Sequence, residues 1–293
     1  MAGVTGKPLH PGGPAGSLPW RGPGEGRPDL PLPPGPMPLV HRGLLRKRWR
    51  YVGYYGDEVM LCVASVSIGP LQQCFWSLWD RDEGRVAGHT QLRPGRPEVA
   101  MEGAYVELRA AEARASLVLG PCQPIEAVCP SGRGWAWTRK RAGVPVAGRI
   151  EAFGRVWNLD GLGVDDESAG YQQRHTDWSW SAGVGLDKGG RALGWNLVAG
   201  INDPITGSER AVWVDGVPSE PEPVVFDGLD AVEFADRGRI VFDFSDGAER
   251  RRDDNFGLIR SNYIHRFGTF TGSLDGHELT RAAGVMEHHS AVW

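Results

Sequence analysis

The stretch Asp165-Asp166-Glu167-Ser168-Ala169-Gly170-Tyr171-Gln172-Gln173-Arg174-His175-Thr176-Asp177-Trp178-Ser179-Trp180-Ser181-Ala182-Gly183 decides how this chain is read. It concentrates acids, a Tyr, an Arg, a His and two Trp in one short span. From about Arg174 it reads as a strand, so Trp178 and Trp180 share one face while His175 and Asp177 share the other. Asp165 to Gly170, acidic and ending in Gly, reads as a loop near a rim or mouth. After a turn at Asp187-Lys188-Gly189-Gly190 comes the apolar run Ala192 to Ile201, with Trp195 inside it.

Working outward, the same grammar recurs. Val59 to Ile68 is apolar and β-branched and stops at Gly69-Pro70; Gln72 to Trp79 and Arg85 to Leu92 flank a turn at Asp80 to Gly84. Each piece is short and bounded by Gly, Pro or Asp, as strands are. Val214-Asp215-Gly216 marks a hairpin, and so does Leu274-Asp275-Gly276. A helix competes only at the Ala-rich start of Glu107 to Leu119. The mixed-charge run Glu249 to Asp254 reads as a solvated edge or loop. The fold class is therefore all-β and antiparallel: one or two barrels, which the resemblance given below implies are lipocalin-like (calycin-type), or a large β-sandwich.

The 293 residues suit one large all-β domain or two smaller ones. Half of the 22 prolines fall in residues 1–38, which read as a disordered or extended Pro/Gly-rich tail. Two β halves follow, at 39–160 and 161–293. A net charge of −4 gives no general attraction to nucleic acid or anionic lipid. No apolar run is long enough for a transmembrane helix, and no secretory leader is recognisable, so the expected location is cytoplasmic. In that compartment Cys62, Cys74, Cys122 and Cys129, whose spacing fits neither a redox pair nor a zinc set, read as free thiols. The basic run Arg46-Lys47-Arg48-Trp49-Arg50-Tyr51 reads as a strand whose cationic stems cover its exterior.

The functional reading is a cavity for a small hydrophobic molecule, walled by Trp178, Trp180 and Trp195, with Arg174 and Asn196 as further contacts. His175 would be general base or acid, Asp166 or Asp177 its orienter, and Tyr171 a proton donor. That inventory suits hydration, isomerisation or cyclisation without a cofactor. Two other readings stand beside it: a non-catalytic lipid or pigment carrier using the same cavity, and an interaction protein whose Trp residues fill its core. No metal site is expected, because His288 and His289 are adjacent and so point to opposite faces of a strand.

Several segments carry a family resemblance: Arg46 to Tyr51, Trp137 to Pro145, Ser168-Ala169-Gly170-Tyr171 with His175-Thr176, Trp195 to Gly200, and Phe267-Gly268-Thr269-Phe270. From about Val40 to Trp293 the chain resembles the bacterial family called domain of unknown function 2804, a resemblance that implies no particular activity. More distantly it resembles the lipocalin-like carotenoid hydratases and tocopherol cyclases. That likeness rests on the Trp-x-Trp strand running into an apolar strand and on the terminal Gly284-Val285-Met286-Glu287. It implies two lipocalin-type barrels and a deep apolar pocket; the acidic and His catalytic positions of those enzymes have no residue-by-residue match here.

Overall fold

The computed structural model describes residues 18–23, 26–92, 95–255 and 260–292. A short β1 (Trp20–Gly22) and a small clip of β2 (Val40–His41) and β3 (Leu44–Leu45) precede the long strands. Then come β4 (Lys47–Tyr55), β5 (Val59–Ile68), β6 (Leu71–Asp80), β7 (Arg85–Leu92), β8 (Val99–Glu102), β9 (Tyr105–Arg109) and β10 (Ala113–Leu119). β11 (Ile125–Ser131), β12 (Gly134–Ala152) and β13 (Arg155–Gly170) complete the first half. The second half holds β14 (His175–Asp187), β15 (Ala192–Ala199), β16 (Ala211–Val214), β17 (Val217–Ser219) and β18 (Val224–Asp227). It ends with β19 (Ala231–Phe234), β20 (Gly238–Asn255), β21 (Arg260–Leu274) and β22 (His277–Val292). No helix occurs among the described residues, so none there is long and apolar enough to cross a membrane.

The strands form two large antiparallel sheets. The first runs β7-β6-β5-β4-β13-β12-β10-β9-β8, with β11 on the other stretch of β12 and β1 beside β11. The second runs β17-β16-β15-β14-β22-β21-β20-β19-β18. Each curls into a half-barrel: β8 comes back against β5 and β6, and β18 against β15. Inside the first curl pack Val52, Leu61, Val63, Trp76, Leu117 and Trp157. Inside the second pack Leu197, Val212, Phe234, Phe242, Phe270 and Met286. A third core joins the two sheets: Tyr51, Met60, Cys62 and Trp79 meet Trp180, Val184, Trp213 and Phe267.

This arrangement explains why β5 reads as an unbroken apolar run. Leu61 and Val63 face the first curl, while Met60, Cys62 and Ala64 face the second sheet. A strand covered on both faces has no polar side to alternate with. All four cysteines are free, and burial pushes the Cys62 thiol up to about 12, which suits an inert core residue.

Four segments differ from their sequence reading. Asp165 to Gly170 is not a rim loop but the end of β13, because each acid meets a cation across the ladder: Asp165 opposite Arg141, Asp166 opposite Lys140, Glu167 opposite Arg139. Glu107 to Leu119 forms the β9–β10 hairpin; alternate burial along β10 matches a strand packed on one face. Glu249 to Asp254 belongs to β20, exposing Glu249, Arg251 and Asp253 and turning Arg250, Arg252 and Asp254 inward. The Pro/Gly-rich segment is seated on the first sheet wherever it is described between Leu18 and Pro38; its residues 1–17 lie outside the described residues. Trp20, Leu32 and Met37 are the anchors, packing with Trp135, Trp137 and Tyr171. The two sheets divide at Gly170 and His175, later than the expected boundary at 160/161.

Candidate functional site

The faces that the two sheets turn toward each other leave a cavity of about 170 Å³. Two facing cross-strand rows run through it. In the first sheet, Lys140, Asp166, Tyr51, Ala64, Phe75 and Thr90 lie in register across β12, β13, β4, β5, β6 and β7. In the second, Val198, Trp180, Glu287, His265 and Arg250 lie in register across β15, β14, β22, β21 and β20. One row further out run Trp49, Val66 and Gln73 on one side and Trp178, His289, Tyr263 and Arg252 on the other. Side chains two residues apart on a strand point the same way, so each row repeats the orientation of the last.

The floor is buried and charged. Lys140 Nζ donates to Asp166 Oδ2 at 2.5 Å and lies 3.4 Å from Glu209 Oε1. Asn202 Nδ2 donates to Glu209 Oε2 at 2.9 Å. Asn196 links this cluster to the wall, donating to the Glu209 carbonyl at 3.0 Å and accepting from Trp180 Nε1 at 2.8 Å. Glu287 Oε1 accepts from Trp178 Nε1 at 3.1 Å. Tyr51 stands between the sheets, its ring edge-on to Trp180 and its hydroxyl 3.2 Å from His265 Nε2.

Three carboxyls and one ammonium in a dry pocket cannot all be ionised. Burial opposes the Lys140 charge, but Asp166 and Glu209 outweigh it and hold the ammonium above its ordinary range. Burial raises Asp166 and Glu209, and Lys140 pulls both back. Among the described residues Glu287 has no ammonium at hydrogen-bond distance; burial pushes it up to about 8, only partly offset by the Trp178 indole. At neutral pH it therefore carries its proton. Burial likewise drives His265 and His289 down to about 3, leaving both imidazoles neutral. Among the described residues, two buried polar atoms at the cavity lack good partners: Asp166 Oδ1, which has the Trp49 indole beside it, and the Tyr263 hydroxyl, which faces Glu287 outside hydrogen-bond geometry. Buried groups left so are unusual in a folded chain and mark places where a guest or water completes the set.

Of the residues singled out in the sequence, Asp166, Trp178 and Trp180 line this cavity, and Asn196 supports its wall. The others lie elsewhere. Trp195 is fully buried in the second curl, its Nε1 donating to Ser181 Oγ and its ring edge-on to Phe270. Tyr171 is buried against Trp135 and His41, with its hydroxyl donating to the Pro38 carbonyl at 2.6 Å. His175, Arg174 and Asp177 are exposed. The cause is parity: with Trp178 and Trp180 turned inward, His175 and Asp177 must turn out. Sequence reasoning missed Lys140, Glu209, Glu287, Tyr263 and His289. For the last three the signal was partly present, since Tyr263/His265 and Glu287/His289 are period-two pairs on strands.

Residues 123–293 match the model of the family described as Domain of unknown function (DUF2804). The chain belongs to that family. Lys140, Asp166, Glu209 and Glu287 of this DUF2804 member all lie in the matched segment. No curated protein matches the chain. Among solved structures it is similar to kievitone hydratase from Nectria haematococca, with 7% identity, 84% of this chain and 88% of that chain covered, and a TM-score of 0.49. It is also similar to a protein described as an AttH from Nitrosomonas europaea, at 13% identity, 88% and 97% coverage and a TM-score of 0.46. CghA with Sch210972 is a third, at 11% identity, 84% and 88% coverage and a TM-score of 0.40.

Proposed function

We propose that the cavity between the sheets binds a small, mainly hydrophobic molecule and moves a proton on it without a cofactor, in a hydration, isomerisation or cyclisation. The observation that carries this reading is Glu287: a buried carboxylic acid pushed up to about 8, in the wall of a cavity that also holds Asp166, bonded to Lys140 through Oδ2 and with Oδ1 short of a partner. Two carboxyl groups in unequal environments divide the roles of acid and base. Glu287 gives its proton to an olefinic carbon of the guest, and Asp166 Oδ1 removes one. If Asp166 takes the proton from a water that attacks the neighbouring carbon, the net change is hydration. If it takes the proton from the guest itself, the double bond moves. Either way the protein ends the step with Glu287 ionised and Asp166 protonated, and proton return through solvent resets it.

The walls set the size and nature of the guest. A cavity of about 150 Å³ lined by apolar groups holds benzene, so the 170 Å³ here suits one ring or its equivalent, with any extension leaving by the mouth. Trp178, Trp180, Phe75 and Tyr51 offer flat faces to a planar, unsaturated body.

The test begins with native mass spectrometry of the purified protein, to find and extract any co-purifying molecule. That molecule and a panel of aryl alkenes and unsaturated ketones are then incubated with the protein in D2O. Solvent deuterium on carbon is the expected result, reduced about 10²- to 10⁴-fold in Glu287→Gln. Binding without deuterium uptake in the wild type defeats the catalytic reading and leaves a carrier. No binding leaves an interaction protein.

A further inference from the structure

The mouth of the cavity carries two arginines in different electrostatic situations. Arg252 is satisfied: its Nε and Nη2 donate to the two Asp254 carboxylate oxygens at 3.0 and 2.7 Å. Arg250 has no carboxylate within ion-pair distance among the described residues. Its Nη2 donates to Thr90 Oγ1, and its guanidinium lies 4.5 Å from the Phe75 ring and 5.8 Å from the Tyr263 ring. These contacts hold the plane of the group across the gap between the sheets and leave its other N–H groups without an acceptor among the described residues. Two aromatic faces thus fix a cation that has no counter-ion among the described residues.

We propose that Arg250 anchors a carboxylate, so that the guest is a short aryl or polyene carboxylic acid whose head faces the mouth and whose unsaturated end reaches Glu287. The proposal rests on the reading of the cavity as an acid–base site and specifies what enters it. Charge decides the orientation. At the floor the Lys140 ammonium is already held by Asp166 and Glu209, so an anionic head finds no open cation there and is attracted at Arg250. Lys140 does not compete for the head, since both of these carboxyls already occupy it. Length agrees as well. Arg250 and Glu287 stand in the same row two strands apart, a backbone separation of about 10 Å. A carboxylate bound at the guanidinium then places a reacting carbon a ring and a short chain away, beside the Glu287 carboxyl.

The experiment uses two probes of one shape, trans-cinnamate and cinnamamide, titrated against the full chain by quenching of tryptophan fluorescence. Wild type is expected to bind cinnamate at least about tenfold more tightly than the amide, the scale of a charge-assisted hydrogen bond. Arg250→Gln should bring cinnamate down to the level of the amide while changing amide binding less than twofold, and Arg250→Lys should recover part of the preference. A variant that weakens both probes equally makes Arg250 a structural bridge and overturns the proposal. Absence of preference in wild type, or failure of both probes to bind, overturns it too. The two readings fail separately: carboxylate preference without deuterium exchange removes the acid–base chemistry alone, and exchange without carboxylate preference removes the anchor alone.

Discussion

Glu287 sets the pH behaviour at the scale of single residues. Its folded-state pKa of about 8 lies above the ordinary glutamate value of 4.5. Between those two pH values the folded chain holds a proton that the unfolded chain has released. Stability from this group is therefore complete below pH 4.5 and is lost as pH rises through 8. The loss is on the order of 5 kcal/mol at most. Glu287→Gln keeps the acceptor for Trp178 Nε1 but cannot ionise, so its urea-unfolding free energy should fall less steeply than that of wild type across this window. Parallel profiles for the two proteins would mean that Glu287 is ionised in the folded state at neutral pH, and the proton donor would be lost from the proposed chemistry. Lys140 makes the complementary case. Lys140→Met removes the one ammonium bonded to Asp166 and Glu209 and leaves two buried carboxyls to take up protons or stay unpaired. A loss of about 3–5 kcal/mol is expected at pH 7, shrinking in acid as the carboxyls are neutralised. A loss independent of pH would show that Lys140 contributes through packing alone.

Strand register decides which of these residues meet, and it explains what the sequence could disclose. The alternation along β14 was legible, and so was the all-β architecture, because turn residues punctuate short apolar runs throughout. Which face of β14 looks into the cavity was not legible, since that depends on partners more than a hundred residues away. Once β22 pairs with Trp180 opposite Glu287, the facing set is fixed: Trp178, Trp180, Glu287, His289 and their neighbours. Trp195 illustrates the point. It pairs with Gly183, on the opposite parity from Trp180, and so turns into the second curl. Its indole occupies the space beside that glycine; a Cβ there would stand 2.2 Å from Trp195 Cζ2 and 2.7 Å from the Ala283 carbonyl oxygen. Gly183→Ala is accordingly expected to cost about 1–3 kcal/mol through overpacking, seen as a lower urea midpoint with an unchanged slope. The charged floor was hidden for a related reason. Lys140 and Asp166 are close only because β12 and β13 pair in one particular register, and Glu209 arrives from the loop before β16. His175 attracted notice by composition, yet it sits at the exposed first position of its strand. His175→Ala should change stability by less than about 0.5 kcal/mol, whereas Trp180→Ala should cost about 3–5 kcal/mol.

At the scale of the molecule, the two half-barrels form one structural unit. The core between them draws on both, and the cavity takes its walls from both, so neither sheet carries the site alone. The N-terminal segment strengthens the connection. Arg21 on β1, which is paired with the first sheet, donates to the Ser208 and Arg210 carbonyls of the loop that carries Glu209. Composition pointed to a solvated tail because proline and glycine dominate it; three apolar anchors were enough to seat the described part. Folding and binding should accordingly be coupled across the whole chain. Calorimetry should give one heat-absorption peak, and a guest at about a hundred times its Kd should raise stability by about 2.7 kcal/mol. For a chain of this size that corresponds to a rise in Tm of roughly 4–5 °C. Because the guest touches both sheets, the peak should move as a whole. Two resolved peaks, with cinnamate shifting only one, would show that the sheets unfold independently and that the guest is held by one of them. In that event a site assembled from Asp166 on one sheet and Glu287 on the other could not be the place where the guest binds.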